Sequence, residues 1–128
     1  MSFFEGFTTF NFNEGVPYVS VTKNGVSFNK GVIMKLGCPT HVTLLMNMAT
    51  KQIAIKECDA SDPNAQPFFN ADKKSNTYSA RWNGRDLMLT IKDMTGWDYE
   101  KESYRIEGAL IPSENAMLFD FNKAEPIT

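Results

Sequence analysis

Val19-Ser20-Val21-Thr22-Lys23-Asn24-Gly25-Val26-Ser27-Phe28 is the stretch whose reading decides the fold. Val19 and Val21 alternate with Ser20 and Thr22, the period of a half-buried strand. Asn24-Gly25 is a strong tight-turn pair, because both residues tolerate positive φ. Val26 and Phe28 then share one face of a second extended piece. Asn29 is placed to cap a helix from about Lys30 to Leu36. Val32, Ile33 and Leu36 form its buried stripe. Gly37 suits a left-handed terminator, and Pro39 forbids continuation. Val42, Leu44 and Met46 alternate, as do Ile53 and Ile55, around a polar turn from Asn47 to Lys51. That pattern predicts a β-hairpin. Residues 19–57 therefore read strand, turn, short helix, hairpin, a βαββ unit.

The same order recurs further along. Residues 58–77 have connector composition, with Asp59, Asp62, Pro63 and Pro67, and Phe68-Phe69 predicts that the connector is pinned to the core. In the stretch Tyr78-Ser79-Ala80-Arg81-Trp82-Asn83-Gly84, Tyr78, Ala80 and Trp82 alternate with polar neighbours and the Asn-Gly signal returns. A helix is expected from about Asp86 to Met94, with Leu87, Ile91 and Met94 on one face. Gly96 closes it. Tyr104, Ile106, Gly108 and Leu110 alternate, Pro112 to Asn115 turns, and Met117, Phe119 and Phe121 alternate again, which predicts a second hairpin. The two Asn-Gly pairs stand 59 residues apart, as do Gly37 and Gly96. Residues 78–122 are thus expected to be a second βαββ repeat. A unit of this size buries too little apolar surface to be stable alone, so the two are expected to share one core within a single domain spanning 1–128.

Composition limits the alternatives. The chain has 128 residues, 42% of them apolar and 22% charged, which excludes disordered, collagen-like and coiled-coil readings. No apolar run approaches the roughly 18 residues of a membrane span. The start, Met1 to Phe7, carries an acid and a glycine where a secretory signal would be basic and then apolar. A cytoplasmic protein that does not engage membrane is expected. Cys38, Cys58 and His41 are the only thiols and imidazole. Cys38-Pro39-Thr40-His41 has the gap of half a zinc site but lacks a second paired motif. No metal, no cofactor and no catalytic residues are expected, and no phosphate-cradling glycine loop is present. Phe3, Phe4 and Phe7 head an aromatic N-terminal segment. From Thr8 to Asn13 it alternates like a strand. It is either an edge strand over the protein's own core or an arm that docks on a partner or a second copy.

Val21 to Lys30, the apolar helix to Leu36-Gly37, Val42-Thr43-Leu44-Leu45 and Gln52-Ile53-Ala54-Ile55-Lys56 together resemble the swapped-hairpin domain of AbrB-type transition-state regulators. Phe28-Asn29 stands where that family has Ile-Pro. The resemblance covers about residues 19–57 and, more loosely, 78–122. It is also similar in arrangement to small bacterial proteins. It implies a strand-rich α+β fold, two βαββ units packed as a pseudo-twofold swapped-hairpin barrel with an added N-terminal strand. It further implies DNA binding and transcription regulation through basic residues near the first strands and helix.

Charge bears on that expectation. Between Glu14 and Glu57 there is no acidic residue, and Lys23, Lys30, Lys35, Lys51 and Lys56 all fall there. Net charge is nevertheless −2, which opposes long-range attraction to phosphate. Lys23, Lys30 and Lys35, extended by Arg81 and Arg85, are the expected contacts to double-stranded DNA. The competing expectation is a protein-interaction or self-association module without nucleic acid, in which the basic part meets the acidic remainder and a homo-oligomer forms.

Overall fold

The structure is a computed structural model and describes residues 3, 5, 15–69 and 79–127. β1 (Tyr18–Thr22) and β2 (Gly25–Phe28) pair antiparallel around Lys23-Asn24, with Val19 opposite Phe28 and Val21 opposite Val26. These four side chains are essentially inaccessible to solvent. By strand alternation, the paired Ser20 and Ser27 therefore face outward. α1 (Lys30–Lys35) follows at once, burying Val32 and Ile33.

Asn29 makes that sharp entry possible. Its Oδ1 accepts from the N–H of Val32 at 3.2 Å, the N-cap bond, and also from the N–H of Tyr18 at 2.9 Å. Its Nδ2 donates to the carbonyl of Val16 at 2.8 Å, and its backbone N–H donates to Tyr18 O at 3.1 Å. One side chain thus starts the helix and fixes the chain entering β1.

β3 (His41–Asn47) and β4 (Gln52–Glu57) form the first hairpin, with Leu44 opposite Ile55. The connector supplies only β5 (Gln66–Pro67), which pairs with β3 at His41 and Val42. Phe68 beyond it is buried, as the sequence predicts. β6 (Ala80–Trp82) joins the outer edge of β2, and α2 (Arg85–Thr95) follows. The long β7 (Ser103–Ile111) and β8 (Ala116–Asp120) form the second hairpin. β9 (Glu125–Ile127) returns to the start of β7. Both hairpins close through four-residue connections whose last residue, Lys51 (φ 59°) or Asn115 (φ 49°), is left-handed.

The strands form one curled antiparallel sheet in the order β5-β3-β4-β8-β7-β1-β2-β6, with β9 beside β7. The two hairpins meet through β4 and β8, Ile53 opposite Phe119 and Ile55 opposite Met117. β7 gives its first half to β1 and its second half to β8. A strand-rich α+β fold with two helices is what the alternation patterns predict. Inside the curl, Phe28 is the hub: its ring lies 5.1 Å from Trp82, 5.4 Å from Phe68 and 5.8 Å from Phe119. β7 crosses the packed side chains of β8 at Gly108, where a Cβ would lie 2.6 Å from Met117 Sδ and 2.7 Å from Phe119 Cε1.

The two Asn-Gly pairs play different parts. Asn24-Gly25 joins two strands, whereas Asn83-Gly84 leads from a strand into the helix expected after it. Gly84 has φ −57° and is the N-cap of α2, so the chain passes directly from β6 into the helix. Leu87, Ile91 and Met94 supply a helical stripe immediately, and no extended pair like Val26 and Phe28 intervenes. α2 ends at Gly96 (φ 75°), whose N–H bonds to Lys92 O. Trp97 then stacks between Tyr104 at 4.0 Å and Phe121 at 5.5 Å, and Tyr99 Oη donates to Met88 O at 3.1 Å.

These contacts have measurable consequences. Replacing Asn29 with Ala lowers unfolding free energy by about 2 kcal/mol, the cap plus the lost strand-entry bonds. Asn29→Asp, which keeps the cap acceptor, costs about half of that. Both are read from denaturant midpoints. Gly108→Ala costs about 1–3 kcal/mol in the same measurement, because the Phe119 ring and Met117 must shift. Burial pushes the Tyr99 phenol up to about 12, with Asp93 adding to the rise against an opposing hydrogen bond from Thr95. The unfolded chain ionises near the ordinary tyrosine value of about 10 while the folded chain does not. The stabilisation is therefore complete below that pH and is lost as pH rises through the folded value. Thermal midpoints followed by circular dichroism should fall between about pH 10 and pH 12, and Tyr99→Phe should fall less steeply.

Candidate binding face

Strand pairing carries one row of side chains across the outside of half the sheet. Arg105 on β7 lies opposite Ser20 on β1, Ser20 opposite Ser27 on β2, and Ser27 opposite Arg81 on β6. At roughly 4.8 Å per strand, the two arginines stand about 14 Å apart with two hydroxyls between them. The Arg81 Nε donates to Ser27 Oγ at 3.0 Å, which orients the guanidinium along the sheet. Arg105 lies 4.5 Å above the Tyr18 ring and 3.9 Å from Glu125.

The Arg81 end of the row opens into a groove of about 760 Å³, bordered by Ser20, Thr22, Lys23, Ser27 and Arg81 on one side and Glu100, Lys101 and Glu102 on the other. Three cations face two carboxylates. One carboxylate is engaged locally: Glu102 accepts from Tyr104 Oη at 3.2 Å. The groove offers cations and hydroxyl donors on a rigid strand floor, which suits a bound anion. A second groove, about 700 Å³, lies on the other side of Arg81, between Leu44 and Leu45 of β3 and Trp82 to Leu87. Asp62, Asn64 and Gln66 border it as well.

The residues singled out in the sequence fall in different places. Lys23 and Arg81 come together in the first groove. Lys30 and Lys35 lie at the two ends of α1 and do not border it. Arg85 is exposed at the start of α2, next to Asn83 and Gly84 of the second groove. Phe3 is 87% exposed, whereas Phe4 and Phe7, with the alternation from Thr8 to Asn13, lie outside the described residues. Sequence reasoning misses the outward serines and Lys101. Ser20 and Ser27 are legible only as the polar half of the alternation, and Lys101 reads as part of a solvated loop.

Chemistry at the other reactive groups is unpromising. Burial first, and then Asp62, Asp59 and Glu57, push the Cys58 thiol up, so it stays protonated and weakly nucleophilic at neutral pH. Cys38 Sγ faces the Met34 thioether at 3.9 Å rather than a base. His41 Nδ1 is 3.0 Å from the neighbouring Thr40 hydroxyl. Among the described residues, no three His, Cys, Asp or Glu side chains are grouped to hold a metal ion. No helix among them is long and apolar enough to cross a membrane. In comparisons with known proteins, no family model, curated protein or solved structure matches the chain.

Proposed function

We propose that the chain is a small, non-enzymatic, cytoplasmic regulatory protein that binds double-stranded DNA through the outer face of β1, β2 and β6. The observation that carries the reading is the convergence of Lys23 and Arg81, 58 positions apart in sequence, around Ser20 and Ser27 in one groove with Lys101. Lysine, arginine and serine hydroxyls on a rigid surface are the groups that hold phosphates and set register on a duplex.

The architecture behind this reading is a pair of βαββ units completing one barrel, as in the swapped-hairpin domains the first unit resembles. Support comes from the pairing of β1 in the first unit with β7 in the second, and from the central β4–β8 contact. The equal hairpin connections with left-handed Lys51 and Asn115 agree with it. The twofold relation is approximate, because β6 adds to β2 while β3 pairs with the short β5.

Fluorescence anisotropy with labelled duplex DNA tests the function. Binding is expected at low salt, with three cations giving a slope of log K against log salt of about −2.7. Lys23→Glu with Arg81→Glu should weaken binding by about tenfold or more and flatten the slope by about 2. Absence of binding at low salt, or a double variant that binds like the wild type, refutes the reading.

A further inference from the structure

The short strand β5 marks the start of a lane along the outer edge of β3. Phe68 N–H donates to Thr40 O at 2.8 Å, and Gln66 lies opposite Val42. By antiparallel alternation, Thr40, Val42, Leu44 and Met46 turn their N–H and C=O groups toward this lane. Thr43 and Leu45 turn theirs toward β4, as His41 does in accepting from Cys58 N–H. Continued, the register of β5 would set Asn64 opposite Leu44 and Asp62 opposite Met46. The connector turns out of the lane instead. Asp62 Oδ1 accepts from the N–H of Asn64 at 2.8 Å, and Asp62 O accepts from that of Ala65 at 3.0 Å. Among the described residues, no strand lies beside Leu44 and Met46 on this side.

The lane has a second wall. Asn29 N–H donates to Tyr18 O, so Ser27 and Gly25 bond to β1 by the same alternation. Phe28 and Val26 then bond to Ala80 and Trp82 of β6, and the backbone of Arg81 turns away from β2. β6 is the end strand of the sheet. Arg81 and Leu44 border the same groove of about 700 Å³. Leu44, Met46, Trp82 and Leu87 pack against the core but are only partly buried.

We propose that this groove binds an extended segment of a partner polypeptide, added antiparallel to β3 in the lane of β5. Backbone hydrogen bonding selects the occupant, because a row of unpaired N–H and C=O groups at strand spacing is complementary to another strand. Residues opposite Leu44 and Met46 share the inward face of those side chains. The segment therefore carries apolar side chains at these two positions, two residues apart, covering Leu44, Met46, Trp82 and Leu87. The residue between them points outward beside Leu45 and turns its own backbone groups toward Arg81. The proposal does not depend on DNA binding.

A phage-displayed library of random peptides of about seven residues, selected on the full chain, supplies the probe. The most enriched sequence is synthesised and should show apolar residues two apart. Amide hydrogen exchange by NMR reads the site. In the free chain Leu44 and Met46 should exchange fast, and Thr43 and Leu45, bonded to β4, slowly. Saturating peptide should slow Leu44 and Met46 by about 100-fold or more. N-methylating the peptide residue paired with Leu44 should weaken binding by about tenfold or more. Leu87→Lys, which sets a charge among the inward side chains, should weaken it similarly while Thr43 and Leu45 stay protected. A library that yields no binder overturns the proposal, as does a peptide that leaves Leu44 and Met46 fast. Slow exchange at Leu44 in the dilute free chain overturns it in favour of the connector as occupant. Protection that appears without peptide as chain concentration rises overturns it in favour of a second copy.

Discussion

The antiparallel contact between β4 and β8 is the constraint on which the rest of the structure depends. Each hairpin alone is two strands with one apolar face, which is at best marginal in water. Joined through Ile53–Phe119 and Ile55–Met117, they become four strands with a continuous inner face. That face is deep enough to receive Phe28, the hub of the aromatic cluster. β7 then extends past β8 and offers its first half to β1, so the first strand of the described fold is held by the last third of the chain. Gly108 sits where this strand crosses the Met117 and Phe119 side chains, the point at which added volume would push the two halves apart.

Local chemistry determines the parts of the fold that are legible in the sequence. Asn29 reads as a cap because an Asx side chain before an apolar stripe has one good use, and it has that use here. Gly96 reads as a terminator, and its φ of 75° agrees. Both hairpins follow from alternation because their strands are long enough to show the period. β5 and β9 are two and three residues long and carry no period, so they escape such a reading. Asn83-Gly84 repeats the signal of Asn24-Gly25 with a different outcome. The pair is compatible both with a tight turn and with a helix start, and the residues after it decide between them. After Gly25 comes Val26-Ser27-Phe28, and after Gly84 comes a helical stripe.

The binding face is less legible than the fold. Lys23 and Arg81 stand out as charges, but their meeting is a fact of strand order: it exists because β6 adds to β2. Lys30 and Lys35 share the same basic stretch of sequence, yet α1 must bury Val32 and Ile33 and so fixes them at its own ends, away from that groove. Sequence proximity groups charges along the chain, whereas a surface groups them by register. Lys101 escapes a sequence reading, since nothing in an acidic loop says that it will stand across from β1 and β2.

The same strand order explains why the outside of the sheet is divided. Where β7, β1, β2 and β6 run side by side, the outward positions are Arg105, Ser20, Ser27 and Arg81. Where β3, β4, β8 and β7 run side by side, they are Leu45, Ala54, Leu118 and Ala109. Folding requires neither choice, because these side chains lie outside the core, and alternation alone would be met by any polar residue there. β7 belongs to both groups and changes character along its length, from Arg105 and Glu107 to Ala109 and Ile111. That change coincides with its change of partner from β1 to β8. The apolar row thus begins where β7 turns from β1 to β8, with Thr43 and Lys56 on one side of it and Asn47, Gln52 and Asp120 on the other.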